Sequence, residues 1–286
     1  MDLRRLKHVR DVCPLSSEVF HWRFATKWMG EVARGEITFV PNGYSMFVAR
    51  NKILTWRRTF TSDNAVPAPF ESTSLITIDE WAPTIWPRAI KNWKRFGMIH
   101  REAIVFLREV DAKNPTKNWS SQVRRHLQSF KKNSDISVRL GTVSEYEKNL
   151  ANSQVPKRLH QIFINELEAH IKAHPETVEI LIAQLAGEVV ACFAVGNMDL
   201  EKQSYYIAGF FKKGTEKLHA KIGLIEWWFK RSIERGYREL NFGHIVGPPL
   251  LPFFNSDQTG YSNFKTHFGV TRVWWPGSFW KLTWKK

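Results

Sequence analysis

Residues 179–211 read EILIAQLAGEVVACFAVGNMDLEKQSYYIAGFF. Three apolar runs, EILIAQL (179–185), VVACFAVGNM (189–198) and QSYYIAGFF (203–211), are separated by the short turns Ala186-Gly187-Glu188 and DLEK. Such runs between turn residues predict a three-stranded antiparallel meander. Upstream, residues 155–174 carry Leu159, Ile162, Phe163, Leu167 and Ile171 on one stripe, which predicts a helix ended by His174-Pro175. Downstream, Leu218, Ile222, Ile225 and Phe229 predict a helix over about 215–235, with Gly236 as its stop. YRELNFG (237–243) reads as a further strand, followed by a Gly/Pro loop at 247–252. A short segment around 260–268 and a last strand or two within 271–284 complete the order helix, β-β-β, helix, β, helix, β.

Toward the N-terminus, SSQVRRHLQSFKK (120–132) is helical by the spacing of Val123, Leu127 and Phe130. AIVFLREV (103–110) reads as a buried strand. Residues 77–97, with Trp81, Trp86 and Trp93, read as helical or irregular, and TSDNAVPAPFESTSL (61–75) as a loop. In 37–60 the run Met46–Ala49, the turn Arg50-Asn51-Lys52 and the run Ile53, Leu54, Trp56 predict a β-hairpin.

The chain has 286 residues, enough for one large domain or two modest ones. Its 42 Lys and Arg against 27 Asp and Glu give +15, a field that attracts phosphates, nucleic acid or anionic lipid. Residues 1–140 carry net +11 and residues 141–286 net +4, so the first half is the stronger anion-attracting half. Cys13 and Cys192 stand far apart with no Cys/His cluster, which argues against a disulfide framework and a zinc site and fits reduced thiols in a cytoplasmic protein. The longest apolar runs fall short of the ~18 residues of a membrane span. The start, MDLRRLKHVRDV, has no apolar core and does not read as a secretory signal.

Four stretches together resemble the Fem-like branch of the GNAT acyltransferase superfamily. SSQVRRHLQSFKK (120–132) resembles its basic helix, EILIAQLAGEVVACFAVG (179–196) its hairpin, GYRELNFG (236–243) its "G…yDfgG" strand, and NFKTHFG (263–269) its "FKxxFG" signature. The resemblance covers about 103–286 well and 1–102 vaguely. It implies an α/β protein with a GNAT-like fold, a mixed and mostly antiparallel sheet with flanking helices. Fem-like proteins pair two such domains, so the expected division is a degenerate N-terminal half (1–118) and a catalytic C-terminal half (119–286). The family carries the acyl group on aminoacyl-tRNA. The glycine loop that cradles acyl-CoA in other acetyltransferases is replaced here by KKGTEKLHAKIGL (212–224), where only Gly214 and Gly223 remain. The carboxylate frequent in the family's strand is Asn241.

The resemblance assigns Lys265 as the cation that meets the oxyanion of acyl transfer and Phe264 as the residue shaping the pocket beside it. His244, directly after NFG at a sheet end, reads equally as a proton acceptor or as a loop histidine bonded to backbone. Asn241 can hydrogen-bond substrate but cannot act as a base. Tyr205 and Tyr206 point to opposite faces of one strand, so Tyr206 is a candidate cleft residue. Arg124, Arg125, Lys131 and Lys132 form a candidate contact for tRNA phosphates or an acceptor diphosphate, against the alternative of a solvated helix face. The tail VTRVWWPGSFWKLTWKK (270–286) interleaves aromatics with cations and reads as an edge strand packing its Trp residues, rather than as a stacking platform. His267 reads as structural, and no histidine spacing points to a metal.

The expected function is N-acyl transfer from aminoacyl-tRNA to a small amine or peptide acceptor, with tRNA as partner and no further cofactor. The first alternative is an N-acyltransferase using acetyl-CoA or another acyl-CoA, with Lys212, Lys213, Lys217 and Lys221 holding its phosphates. The second is a non-catalytic nucleic-acid-binding module that kept the fold.

Overall fold

The computed structural model describes residues 10–12, 37–40, 43–61, 65–83, 87, 90–96, 100–173, 176–199, 201–245, 257–276 and 278–284. Its strands are β1 (Arg10–Val12), β2 (Ile37–Val40), β3 (Gly43–Arg50), β4 (Leu54–Thr61), β5 (Ile76–Pro83), β6 (Lys94–Phe96), β7 (His100–Phe106), β8 (Ile136–Gly141), β9 (Val178–Leu185), β10 (Glu188–Met198), β11 (Gln203–Phe211), β12 (Glu239–His244), β13 (Thr271–Trp275) and β14 (Ser278–Trp284). The helices are α1 (Ser121–Lys132), α2 (Val143–Leu150), α3 (Lys157–Ala173), α4 (Ala220–Glu234) and α5 (Asp257–Thr266). These residues fall into two compact units, one drawn from Met1–Arg10 and Ala103–Arg272 and the other from Asp11–Glu102 and Val273–Lys286. Among the described residues no helix is long and apolar enough to cross a membrane.

In the first unit the expected meander is present. β9, β10 and β11 pair antiparallel in sequence, and β8 adds antiparallel to β9. α4 then crosses over, and β12 joins β11 in parallel, as a helical crossover requires. The order β7-β12-β11-β10-β9-β8 lies within an eight-stranded sheet. One sheet face carries α1 and α4, the other α2 and α3. Phe193 of β10 meets Trp228 of α4 at 5.4 Å, whereas Phe210 of β11 meets Tyr146 of α2 at 4.9 Å. α1 starts at Ser120, whose Oγ accepts from the Val123 N–H, and it buries Val123, Leu127 and Phe130 as its spacing predicts. α1 and α4 approach closely because α4 carries Gly223 at the crossing: a Cβ there would stand 2.2 Å from the Phe130 ring. The core between these helices and the sheet is aromatic, with Trp119 edge-on to both Phe229 (5.1 Å) and Phe268 (4.9 Å), and Phe242 stacked on Phe268 at 5.3 Å.

The second unit holds a six-stranded sheet ordered β2-β3-β4-β5-β14-β6. The predicted hairpin is β3–β4, turning through Asn51, whose Oδ1 accepts from the Ile53 and Leu54 N–H groups. Two expectations are corrected. Residues 76–83 form the strand β5, not a helical or irregular stretch, because Asp79 and Glu80 have partners in register on β4. In that parallel ladder Arg57 stands opposite Asp79 and Arg58 opposite Glu80. The tail strand β14 is not an edge, since it lies between β5 and β6. Its Trp280 packs on Trp56 at 5.5 Å and its Phe279 on Trp81 at 5.5 Å. Trp86 and Cys13 lie outside the described residues.

Candidate active site

The β11–β12 ladder covers only Gln203–Tyr205 against Glu239–Asn241. Beyond it β11 continues to Phe211 along β10, and β12 continues to His244. A bulge explains the parting. Val195 and Ala194 of β10 oppose Tyr206 and Ala208 of β11, so Ile207 is an extra residue. A bulge bends its strand, and this one follows directly on the last residue paired with β12. A crevice at the carboxyl ends of parallel neighbours is where α/β sheets hold ligands.

The end of β12 is shaped by the NFGH stretch. Asn241 is buried, and its Oδ1 accepts the Gly243 N–H at 2.7 Å. Gly243 has φ 74°, a left-handed conformation suited to glycine, and the chain turns there. The His244 carbonyl then accepts a 2.7 Å hydrogen bond from Lys265 Nζ. Lys265 is 4% exposed, so its ammonium is fixed against the strand end rather than waving in solvent. A Cβ on Gly243 would stand 3.7 Å from that ammonium, in ordinary contact, so it is the left-handed φ rather than space that calls for glycine. His244 itself is exposed, and its backbone carbonyl is the group that meets Lys265.

The rest of NFKTHFG explains why Lys265 stays put. Phe268 sits in the aromatic core, and Phe264 packs edge-on to it at 5.0 Å. Gly269 has φ 70°, and a Cβ there would lie 2.9–3.0 Å from Asn118. His267 Nδ1 lies 2.9 Å from Ser120 Oγ, tying the motif to the cap of α1.

Tyr206 and Tyr205 do face opposite sides. The Tyr205 hydroxyl bonds His170 Nδ1 of α3 at 2.8 Å, while Tyr206 packs on Phe193 at 5.0 Å, toward α4. Lys221, in the first turn of α4, holds its Nζ 5.8 Å from the Tyr206 ring and 4.9 Å from the Phe264 ring. Lys221 is half-buried, and desolvation of its ammonium among these rings lowers its pKa to about 8. Sequence reasoning had Lys221 only among four lysines for CoA phosphates. The usable signal was its spacing: three residues after Leu218 and four before Ile225, it lies on the apolar stripe. Ahead of it His219, at φ 52°, stacks on His126 of α1 at 4.1 Å. Burial, and secondarily His126, lower the His219 pKa.

The basic helix divides. Arg124, Arg125 and Lys132, with Ser121, Gln128 and Ser129, line an open groove on the outer side of α1. Lys131 instead pairs with Glu226 of α4 at 2.7 Å. The two glycines of 212–224 have structural explanations, Gly223 at the helix crossing and Gly214 at a turn with φ 89°. Cys192 is buried, and burial pushes its thiol up to about 12. Among the described residues no cluster of His, Cys, Asp and Glu is arranged to hold a metal ion.

No protein-family model and no curated protein matches the sequence. Solved structures do match in fold. FemX superposes with a TM-score of 0.66 at 10% identity, over 90% of this chain and 91% of that one. A C-terminal domain assigned to a lysylphosphatidylglycerol synthetase of Agrobacterium fabrum gives 0.54 at 12% identity, over 92% and 87%. L-PGS from Bacillus licheniformis gives 0.51 at 13% identity, over 91% and 86%. The chain therefore shares the mixed α/β fold of FemX and of these two lysylphosphatidylglycerol-synthetase structures.

Proposed function

We propose that the protein is an N-acyltransferase that moves an aminoacyl group from aminoacyl-tRNA to an amine, and that the unit containing Ala103–Arg272 carries the chemistry. The observation that carries this reading is Lys265. A buried ammonium bonded to the end of β12, beyond the short β11–β12 ladder, is a fixed positive charge at the strand ends. The amine attacks the ester carbonyl, and the developing oxyanion meets a charge that needs no reorganisation. Phe264 shapes the wall beside it, and Asn241 holds the Gly243 turn next to the ammonium. The fold shared with FemX and with a protein named for making lysylphosphatidylglycerol supports an aminoacyl group as cargo. The groove of Arg124, Arg125 and Lys132 supports a polyanionic donor, and such a donor fits a cytoplasmic enzyme. Gly214 and Gly223 serve turn and packing, which argues against an acyl-CoA cradle.

Lys265→Ala should lower turnover ~10²–10³ with a much smaller change in substrate binding. Transfer should stop on RNase treatment, and acetyl-CoA should not support it. Replacing Arg124, Arg125 and Lys132 should remove about one unit of log K against log salt per lost phosphate contact, whereas Lys131→Ala should act on stability through Glu226. RNase-resistant transfer from a CoA thioester would reverse the choice of donor.

A further inference from the structure

We propose that Lys221 is the base of the transfer, accepting the proton of the attacking amine and delivering it to the departing ribose oxygen. This rests on the acyl-transfer reading above. The position carries the argument. Tyr206 is the first residue of β11 past the β12 ladder, and Phe264 immediately precedes Lys265. Lys221 holds its Nζ 5.8 Å from the Tyr206 ring and 4.9 Å from the Phe264 ring, so it is set beside the residue where β11 leaves the β12 ladder and the residue next to Lys265. It is also in the first turn of a helix, where the macrodipole disfavours a cation. Desolvation and dipole favour the neutral amine, while the two ring faces temper the cost of the ammonium once formed. Desolvation of this half-buried group brings it to about 8, in the range where lysine serves as a base near neutral pH.

The step balances. A neutral acceptor amine forms its C–N bond to the ester carbonyl, the carbonyl π pair moves to oxygen beside Lys265, and the nitrogen's proton passes to Lys221. The oxyanion pair then returns, the C–O bond breaks, and the Lys221 ammonium gives its proton to the ribose oxygen. Amine and ester become amide and alcohol, and Lys221 ends neutral as it began. The titratable and charged groups on the neighbouring elements are Tyr206 on β11, Lys265 on α5, His244 at the end of β12, Arg124, Arg125, His126, Lys131 and Lys132 on α1, Lys217 and His219 ahead of α4, and Glu226, Lys230, Arg231 and Glu234 within it.

The test compares wild type, Lys221→Arg and Lys221→Met, with aminoacyl-tRNA as donor. Lys221→Arg keeps the charge but cannot lose its proton. We expect kcat to fall ~10²–10⁴ in both variants with tRNA binding retained. The break near pH 8 in the wild-type rate should vanish, leaving only the acceptor's own ionisation. Independently of activity, ¹⁵N NMR of the lysine Nζ groups should show a titration near 8 that is absent in Lys221→Arg. An active wild type with Lys221→Arg at full rate overturns this inference while leaving the acyltransferase reading in place. An Nζ that titrates above 10 overturns it even if the variants fail to fold. A wild type that transfers no aminoacyl group overturns the underlying reading and this inference with it.

Discussion

The two sheets are held by different chemistry. In the first unit Trp119, Phe229, Phe242, Phe264 and Phe268 interlock between helices and strands, and the buried faces of β9 and β10 are almost wholly apolar. In the second, the central β4–β5 ladder is crossed by ion pairs on successive residues. Arg57 grips Asp79 through two bonds, 2.9 Å from Nε and 2.7 Å from Nη2, and adds a bond to the Ala68 carbonyl at 2.8 Å. Glu80 accepts from Arg58 (2.7 Å), from Trp56 Nε1 (3.0 Å) and from Ser278 (2.7 Å). Apolar burial is non-directional and tolerates small shifts. Ion pairs taken from water are costly unless fully satisfied, and they hold one register. A one-residue slip of β5 would set Arg57 against Ile78 or Glu80 and turn every pair to the wrong face. The first sheet thus rests mainly on apolar and aromatic packing, while the second adds to its Trp and Phe pairs an ionic ladder that fixes strand order.

The largest effect should come from breaking one partner of the ionic ladder. Asp79→Ala leaves the buried Arg57 guanidinium without its carboxylate, and removal of one partner of a buried pair costs about 3–5 kcal/mol. Chemical denaturation read by hydrogen exchange should show the loss in the second sheet. Replacing both, Arg57→Met with Asp79→Leu, should recover most of it, since the penalty lies in the stranded charge. A cost below about 1 kcal/mol for Asp79→Ala would mean that the ladder is wetter than its burial indicates, and the contrast between the sheets would collapse.

In the aromatic unit the corresponding probe is added volume. Gly223→Ala drives a methyl into the Phe130 ring, 2.2 Å away, so α1 and α4 must separate or Phe130 must rotate. Overpacking of this kind costs about 1–3 kcal/mol. The substitution also tests the donor, because a methyl inside this packed crossing would disturb stability and leave phosphate binding alone. A variant that is fully stable but loses its donor would return Gly223 to a cradle role.

What could be read from residues alone follows the same division. The meander was legible because Ile, Val, Phe and Tyr runs alternate with turn residues. α1 was legible because Val123, Leu127 and Phe130 keep helical spacing under a Ser120 cap. β5 was not, because Asp79 and Glu80 are legible as strand residues only once Arg57 and Arg58 are known to stand opposite. β8 and α2 went unannounced. β8 is only half-buried, and α2 has eight residues; its one signal was Thr142 followed three residues later by Glu145, a capping box. At the site, the motif gave Lys265 and Phe264 their positions on one helix, but no pattern could say that the His244 carbonyl, rather than its imidazole, meets Lys265. Lys221 lay hidden as one cation among many.

That capping box provides the smallest and most discriminating test, because it contains the exposed counterpart of the Arg57–Asp79 pair. Glu145 accepts from Arg139 Nη1 at 3.3 Å and from the Thr142 N–H at 2.9 Å. The Arg139 guanidinium first, and the Thr142 N–H second, hold its carboxyl down at about 2. A carboxylate with a folded-state pKa below its unfolded value stabilises the fold above the unfolded value of ~4.3 and loses that contribution as pH falls toward 2. Both side chains are about a third exposed, at 39% and 32%, so solvent screening limits the contribution to about 0.5–1 kcal/mol. Glu145→Gln should therefore cost that little at pH 7, less in 1 M salt, and only a small remainder by pH 2. Denaturation midpoints of wild type and variant should converge over the window from pH 5 to pH 2. The Asp79→Ala deficit at pH 7 should instead persist in 1 M salt, since burial shields that pair from screening. Equal salt sensitivity in the two variants would show that exposure does not separate the two pairs, and the distinction drawn between ionic cement inside a sheet and an ionic cap on its surface would fail.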